Sequence, residues 1–231
     1  MKPELLRVGM DESPIVIIDG FAGNAERIAS IADSLAPFPP SKGNQYPGVR
    51  RMITESDRQA HAYVTNACEA AASFVGGAFG FGGFDLDEAS FSVVTQRPEE
   101  LQPAQQVPHF DSSDQNLIAV LHYLRVPAGS GTAFYRHRST GIERITAHNR
   151  DSFIIAAEQE LASRVKPSDY MQGSDAVFEE IGRVDAVPDR LIMYHGSLLH
   201  SGIIPHGMSF SADPRQGRLT ANIFIIGRSS T

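Results

Sequence analysis

The sequence has one cysteine, a deficit of positive charge and no long apolar segment. Because Cys68 stands alone among 231 residues, no disulfide forms within the chain, which argues against a secreted protein held together by disulfides. The 20 lysines and arginines are outnumbered by 27 aspartates and glutamates, and the formal net charge of −7 disfavours a nucleic-acid partner. The longest apolar runs, such as residues 15–18, are too short to cross a bilayer.

The first seven residues contain no uninterrupted apolar stretch, so they do not predict a signal peptide. Hydrophobic residues make up 42% and charged residues 20%, which excludes wholesale disorder. No linker or internal repeat divides the chain. We therefore expect a single domain over residues 1–231, in a soluble cytoplasmic enzyme or binding protein.

The N-terminal part, residues 12–80, predicts one strand and two helices. Residues 13–19 are β-branched and apolar, and apolar residues then recur at helical spacing until Pro37. Three prolines and two glycines between Phe38 and Arg51 predict a loop, in which Tyr46–Arg50 forms either a turn or part of a substrate mouth. The predicted elements are a strand at 13–19, a helix at 22–35, a loop at 38–51 and a helix at 55–74 closed by Gly76-Gly77.

Residues 89–228 predict a jelly-roll core. Short β-branched or aromatic segments, each bounded by Gly, Pro or Ser, fall at 91–95, 117–124, 132–135, 190–194 and 219–226. A helical segment near 151–165 interrupts them as an insertion. A parallel α/β fold would need a helix between most successive strands, and those helices are missing. The pattern predicts a mainly β (α+β) protein, a double-stranded β-helix or jelly roll with flanking N-terminal helices.

Two of the eight histidines lie in contexts that suggest a metal site. His109 and Asp111 are two residues apart, so on an extended backbone both side chains leave the same face. His200 follows at the end of an apolar segment that we predict to be a strand. A His-x-Asp pair arises often by chance, but two imidazoles and one carboxylate on adjoining jelly-roll strands form the facial arrangement that binds non-haem iron(II).

A candidate co-substrate site lies on the last predicted strand. Arg218, Thr220 and Asn222 alternate with apolar residues, so they share one face. An iron oxygenase needs electrons to activate O₂, which a metal-bound 2-oxo acid supplies. The guanidinium of Arg218 is suited to holding the far carboxylate of such an acid in bidentate fashion.

The sequence resembles the Fe(II)- and 2-oxoglutarate-dependent oxygenases, specifically an uncharacterised bacterial group in their prolyl-hydroxylase-like branch. The resemblance covers residues 12–228. The segments that carry it are 107–111, 117–124, 131–134, 189–194, 200–202 and 218–224. It implies that His109, Asp111 and His200 hold the iron and that Arg218 holds 2-oxoglutarate. It also implies that the Tyr123 hydroxyl contacts the same carboxylate, with Thr220 or Asn222 in support.

One feature departs from the family pattern. The basic residue usually follows the distal histidine by about ten positions, whereas Arg218 follows His200 by eighteen. A looped insertion over residues 203–217 would account for the difference. Arg183 and Arg215 are the alternative clamps. His195 competes with His200 as the distal ligand, and we expect it to face solvent or substrate instead.

The sequence thus predicts an Fe(II)- and 2-oxoglutarate-dependent oxygenase, most simply a hydroxylase of a small molecule, an amino acid or a peptidyl residue. The first alternative is a non-catalytic jelly-roll binding or scaffold protein that retains a metal site. A cupin-like metal enzyme is a further alternative, although the chain has no His-x-His pair. The expected partner is a small-molecule or peptide substrate, with no nucleic acid and no membrane, and a homodimer is the oligomer considered.

Overall fold

The computed structural model describes residues 3–41, 46–162 and 169–229. Within these residues the chain forms ten strands and three α-helices. The strands are β1 Glu4–Val8, β2 Ser13–Ile18, β3 Gly48–Met52, β4 Gly83–Val94, β5 Leu117–Arg125, β6 Gly131–His137, β7 Phe178–Asp185, β8 Arg190–His195, β9 His200–Ile203 and β10 Leu219–Arg228. The helices are α1 Ala25–Ser34, α2 Arg58–Phe79 and α3 Arg150–Ala162.

The strands form two antiparallel sheets. The larger has the order β1-β2-β8-β5-β10-β4-β3, and the smaller has the order β7-β6-β9. An isolated bridge between His109 and His200 extends the smaller sheet by one short segment. From β4 onward the chain crosses repeatedly between the sheets, with β4, β5, β8 and β10 in the larger sheet and β6, β7 and β9 in the smaller one, which fits the predicted double-stranded β-helix.

Strand β5 shows how side-chain alternation builds the two layers. Ile118 and Val120 pack with residues of α1 and α2 on the outer face of the larger sheet. Leu121 and Tyr123 point to the opposite face, where they pack with residues of the smaller sheet. Helices α1 and α2 therefore cover the outside of the larger sheet, as predicted, and its inner face is left to line the space between the sheets. Helix α3 packs instead against the smaller sheet. Among the described residues, no helix is long and apolar enough to span a membrane.

Several element boundaries differ from those predicted. Helix α2 does not close at Gly76-Gly77 but continues to Phe79 and ends at Gly80, whose φ of +76° favours glycine. Val75 is buried, so packing against the sheet outweighs the low helix propensity of the two glycines. The helix predicted at 151–165 is observed as α3, which ends at Ala162. Residues 163–165 of the predicted segment lie outside the described residues.

Part of the predicted loop at 38–51 is strand β3. The backbone of Gly48 runs so close to β4 that an added Cβ would lie 2.0 Å from the Val93 carbonyl oxygen. The glycine that suggested a loop is therefore what permits the strand pairing. Residues 42–45 of that predicted loop lie outside the described residues.

His200 is also placed differently from the prediction. It is the first residue of β9 rather than the last residue of a strand. Residues 196–199 form a turn after β8, in which the Leu198 amide donates to the His195 carbonyl at 2.9 Å.

Candidate metal and co-substrate site

The backbone brings His109, Asp111 and His200 together. The amides and carbonyls of His109 and His200 exchange two hydrogen bonds, both 2.8 Å long, across the bridge that extends the smaller sheet. The Asp111 amide donates to the Gly196 carbonyl at 2.7 Å, which fixes the segment against the turn after β8. Because His109 and Asp111 are two residues apart, both side chains leave this segment on the side of His200.

The three side chains converge on one point. The ring centroids of His109 and His200 are 4.3 Å apart, and Asp111 Oδ2 lies 3.6 Å from His200 Nε2. One donor atom from each residue lies within 4.8 Å of the other two, and this is the one such group found among the described residues. A single metal ion placed between these donor atoms can therefore contact all three residues.

A second contact fixes the tautomer of His200. Its Nδ1 lies 2.7 Å from the Leu198 carbonyl oxygen. A carbonyl oxygen can only accept, so Nδ1 carries the proton and Nε2 keeps a free lone pair on the side of Asp111. A backbone carbonyl that orients a histidine in this way is a frequent companion of metal ligation.

Burial sets the charge of the group. Burial lowers the pKa of His200 to about 4, and burial together with the nearby His200 ring lowers the pKa of His109 to about 4. Burial raises the pKa of Asp111 to about 6, against the opposing effects of His109 and Arg50. Near pH 7 the group therefore offers two neutral imidazoles and one carboxylate. This donor set fits a divalent ion such as Fe(II), and it leaves other coordination positions open.

The three residues lie at one side of a cavity of about 200 Å³ between the two sheets. Arg218, Thr220 and Asn222 line the same cavity, in line with the prediction that they share one face. The volume is many times that needed by one water molecule, so the cavity can admit organic ligands beside a metal ion.

Arg218 is a buried cation without a carboxylate partner. It is 6% exposed, its Nε donates to Ser130 Oγ at 2.7 Å, and its Nη2 donates to the Gly131 carbonyl at 3.3 Å. No carboxylate of the described ranges lies within ion-pair distance of it. A buried charge is costly unless a counter-ion pairs with it, so the guanidinium favours an anionic ligand.

Tyr123 lies behind the cavity wall rather than in it. Its hydroxyl forms a 2.7 Å hydrogen bond with Thr132 Oγ1, and its ring centroid is 5.7 Å from the Arg218 guanidinium carbon. Thr132, which sequence reasoning missed, does line the cavity. Thr132 follows Ser130 by two residues, and this alternation at the start of β6 is the sequence feature that could have revealed both.

The alternative residues lie elsewhere. Arg183 binds Glu180 through two hydrogen bonds, Arg215 pairs with Asp213, and neither lines the cavity. The expectation that His195 faces solvent or substrate is wrong, because its ring is buried and packs edge-on against Phe79 at 5.1 Å. His122 points away from the cavity, as its alternation with Tyr123 predicts, and it binds Tyr63 and Asp189 instead.

The segment Tyr46–Arg50 contributes to the cavity, which favours its interpretation as part of a substrate mouth. Tyr46, Pro47 and Arg50 line one side. Burial raises the pKa of Tyr46 to about 12, so its hydroxyl remains protonated at neutral pH. Arg50 is a second cation in the cavity, and sequence reasoning gave it no role of its own.

The fold is similar to that of several solved structures. SnoN, an alpha-ketoglutarate-dependent non-haem epimerase from nogalamycin biosynthesis, has a TM-score of 0.55 and 12% identity, covering 93% of this chain and 78% of SnoN. HygX from Streptomyces hygroscopicus, solved with iron bound, has a TM-score of 0.53 and 11% identity, covering 94% of this chain and 83% of HygX. At these identities the comparisons show the fold alone.

A prolyl-4-hydroxylase from Pseudomonas putida is less similar. The TM-score is 0.47 at 13% identity, with 95% of each chain covered. The assignment to a prolyl-hydroxylase-like branch stays a prediction.

Comparison by sequence gives the family. No curated protein matches the chain. One family model, described as a family of unknown function (DUF6445), matches residues 1–225, which is nearly the whole sequence. The chain therefore belongs to this family and has the fold of the 2-oxoglutarate-dependent oxygenases.

Proposed function

We propose that this protein is an Fe(II)- and 2-oxoglutarate-dependent oxygenase that hydroxylates a small molecule, an amino acid or a peptidyl residue. The observation that carries the proposal is the presence, in one cavity, of a His-Asp-His donor group and a buried arginine that pairs with no carboxylate of the described residues. Iron and 2-oxoglutarate are both bound by HygX, one of the proteins that share the fold.

His109, Asp111 and His200 would hold the metal. The hydrogen bond from His200 Nδ1 to the Leu198 carbonyl holds that ring with Nε2 toward Asp111. The two neutral imidazoles and the carboxylate leave one net positive charge on a bound divalent ion. That charge favours a second, anionic ligand on the open side.

Arg218 would hold the distal carboxylate of 2-oxoglutarate. Ser130 and the Gly131 carbonyl hold its guanidinium in place, and Tyr123 keeps the neighbouring Thr132 hydroxyl at the wall. Thr220 and Asn222 add polar groups on the same strand. A buried guanidinium held by fixed neighbours is suited to bidentate carboxylate binding.

When bound, iron and 2-oxoglutarate supply the oxidative chemistry: O₂ converts a substrate C–H to C–OH while 2-oxoglutarate becomes succinate and CO₂. The side chains of the protein line the cavity in which this reaction would take place. Leu121, Phe224 and Ile204 line the cavity with apolar surface, which limits the access of water to the metal.

The test is anaerobic absorption spectroscopy of the metal-free protein with added Fe(II) and 2-oxoglutarate. We expect a visible metal-to-ligand charge-transfer band that is lost in His200→Ala and kept in His148→Ala, which removes an exposed histidine outside the cavity. No band in the wild type, or an equal band in His200→Ala, would overturn the proposal.

Admission of O₂ then separates the proposal from its alternative. We expect succinate to form with the wild-type protein and not with His200→Ala. A normal band without succinate, across amino acids and peptides as substrates, would instead indicate a binding or scaffold protein that keeps the metal site.

A further inference from the structure

The cavity contains a second arginine, Arg50, whose hydrogen bonding is incomplete. Its Nη2 donates to Glu88 Oε1 at 3.1 Å and to Ser90 Oγ at 3.0 Å, and its guanidinium carbon lies 5.9 Å from the ring centroid of Tyr46. Arg50 Nε is buried and has no hydrogen-bond partner among the described residues. The Tyr46 hydroxyl is also buried and lies near the Ser92 side chain, but it forms no hydrogen bond of normal geometry within the described residues. Two buried donors in a cavity wall therefore lack an acceptor.

Strand register places Arg50 on the inner face of the larger sheet. Arg50 lies opposite Ser92 on β4, and Ser92 lies opposite Thr220 on β10. Residues directly opposite one another share a face of the sheet, so Arg50 and Thr220 point into the same space. With strands about 4.8 Å apart, their Cα atoms are about 10 Å from each other across the sheet.

The two guanidinium groups lie at different levels of the cavity. Arg218 reaches Ser130 and Gly131, at the beginning of β6. Arg50 reaches Ser90 and Glu88, which pair with Asn222 and Phe224 on β10. Arg50 therefore reaches the part of β10 that lies four to six residues beyond Arg218 in sequence.

The level that Arg50 reaches is the level of the metal ligands. In β5, Ala119 pairs with Phe224 and also with Tyr194, and the Tyr194 ring centroid is 4.8 Å from that of His200. In β6, Phe134 pairs with His200, whereas Gly131 lies three residues nearer to Arg218. A ligand held by Arg50 therefore lies at the level of the donor group, whereas the distal carboxylate of 2-oxoglutarate would lie on Arg218.

Glu88 does not satisfy Arg50 by itself. It bonds one of the three guanidinium nitrogens, and its side chain is 39% exposed. An ion pair with a solvated carboxylate is weak, so a ligand carboxylate can replace or join it. The remaining donors, a planar guanidinium edge and a phenolic hydroxyl, match the two oxygens of a carboxylate.

We propose that Arg50 and Tyr46 bind a carboxylate group of the primary substrate and so position its reacting C–H beside the metal. The proposal rests on the proposed function and narrows it, since it names acidic substrates, such as amino acids or other carboxylic acids, over neutral ones. Arg50 is on this account a substrate-binding residue, distinct in position and role from Arg218.

The test uses the full chain loaded with Zn(II) and 2-oxoglutarate, with acetate as the probe and acetamide as its neutral isostere. Binding is measured by saturation-transfer NMR. We expect saturable binding of acetate at millimolar concentration and at least tenfold weaker binding of acetamide. Arg50→Met should weaken acetate binding about tenfold or more, and Arg50→Lys should weaken it less.

Matched variants give the control and an effect of opposite sign. Arg183→Met removes an arginine outside the cavity and should leave acetate binding unchanged. Glu88→Gln removes the competing carboxylate and should tighten acetate binding severalfold. If Arg50→Met does not fold, the acetate affinities of Arg50→Lys and Glu88→Gln test whether Arg50 binds the carboxylate.

The affinity for 2-oxoglutarate, measured on the same samples, separates the two proposals. It should change less than about twofold in Arg50→Met. Equal binding of acetate and acetamide, or unchanged acetate binding in the Arg50 variants, would overturn the inference and leave the proposed function standing. An equal loss of acetate and 2-oxoglutarate would make Arg50 part of the co-substrate site, which also contradicts the inference. Failure of 2-oxoglutarate to bind the wild type would instead count against the proposed function.

Discussion

Replacement of Arg218 by methionine tests the co-substrate site through two effects of opposite sign. Methionine keeps an unbranched side chain of similar length and removes the charge. Without 2-oxoglutarate, the buried guanidinium has no carboxylate partner within the described chain, so its charge is uncompensated. We expect the free energy of unfolding of the variant to equal that of the wild type or to exceed it by up to about 3 kcal/mol, because replacing buried charge by apolar surface is often neutral or stabilising.

With 2-oxoglutarate present, the sign reverses. Removing one partner of a buried charge pair costs about 2–5 kcal/mol of binding free energy. This corresponds to a dissociation constant raised roughly 30-fold to several thousandfold. A ligand at 100 times its dissociation constant stabilises the folded protein by about 2.7 kcal/mol. The variant should lose about two thirds of this stabilisation at 30-fold weaker binding and nearly all of it at thousandfold weaker binding.

The assay is denaturant unfolding of the metal-loaded protein with and without 2-oxoglutarate, together with direct titration by calorimetry. Arg183→Met and Arg215→Met are the matched controls, since both remove an arginine outside the cavity. Both should bind 2-oxoglutarate as the wild type does. If Arg218→Met binds 2-oxoglutarate within about twofold of the wild type, the assignment of the clamp is refuted.

Three further predictions concern buried polar side chains on the two faces of the larger sheet. Tyr63→Phe removes the hydroxyl that lies 2.8 Å from His122 Nδ1 and leaves a buried nitrogen unpaired, so denaturant unfolding should show a loss of about 1–3 kcal/mol. Burial lowers the pKa of His122 in the folded state, so the unfolded chain binds more protons and the free energy of unfolding falls as the pH drops below about 6.5. In unfolding measurements from pH 8 to 5, the free energy of unfolding of His122→Gln should fall less steeply than that of the wild type, by up to about 1.4 kcal/mol per pH unit. His148→Gln is the control and should behave as the wild type does. Tyr123→Phe should change the affinity for 2-oxoglutarate less than about threefold by calorimetry, because the Tyr123 hydroxyl forms a hydrogen bond with Thr132 and does not line the cavity. A loss of affinity as large as that in Arg218→Met would instead support the direct contact with 2-oxoglutarate that the sequence predicts.

The elements that could be predicted from the sequence are short apolar, β-branched or aromatic segments bounded by turn residues. Strand β5 is apolar over most of its length, whereas the beginning of β10 alternates Thr220 and Asn222 with apolar residues, so its inward face also follows from the pattern. The His-x-Asp spacing gave the common direction of two side chains for the same reason.

Elements that depend on tertiary contact could not be predicted. Strand β3 contains glycine and follows prolines, and only its pairing with β4 makes it a strand. The role of Arg50 depends on that pairing, because its place beside the cavity is set by the register with Ser92 and not by its neighbours in sequence. The position of Arg218 was predicted from its strand, although the residues that hold it, Ser130 and Gly131, lie 88 and 87 positions away.

A crystal structure of the protein grown with Mn(II) and 2-oxoglutarate would show directly whether one cavity holds both the metal and the co-substrate. We expect one metal ion bonded to the side chains of His109, Asp111 and His200, with the far carboxylate of 2-oxoglutarate on the guanidinium of Arg218. A metal ion bound elsewhere, or a 2-oxoglutarate that does not touch Arg218, would contradict this expectation.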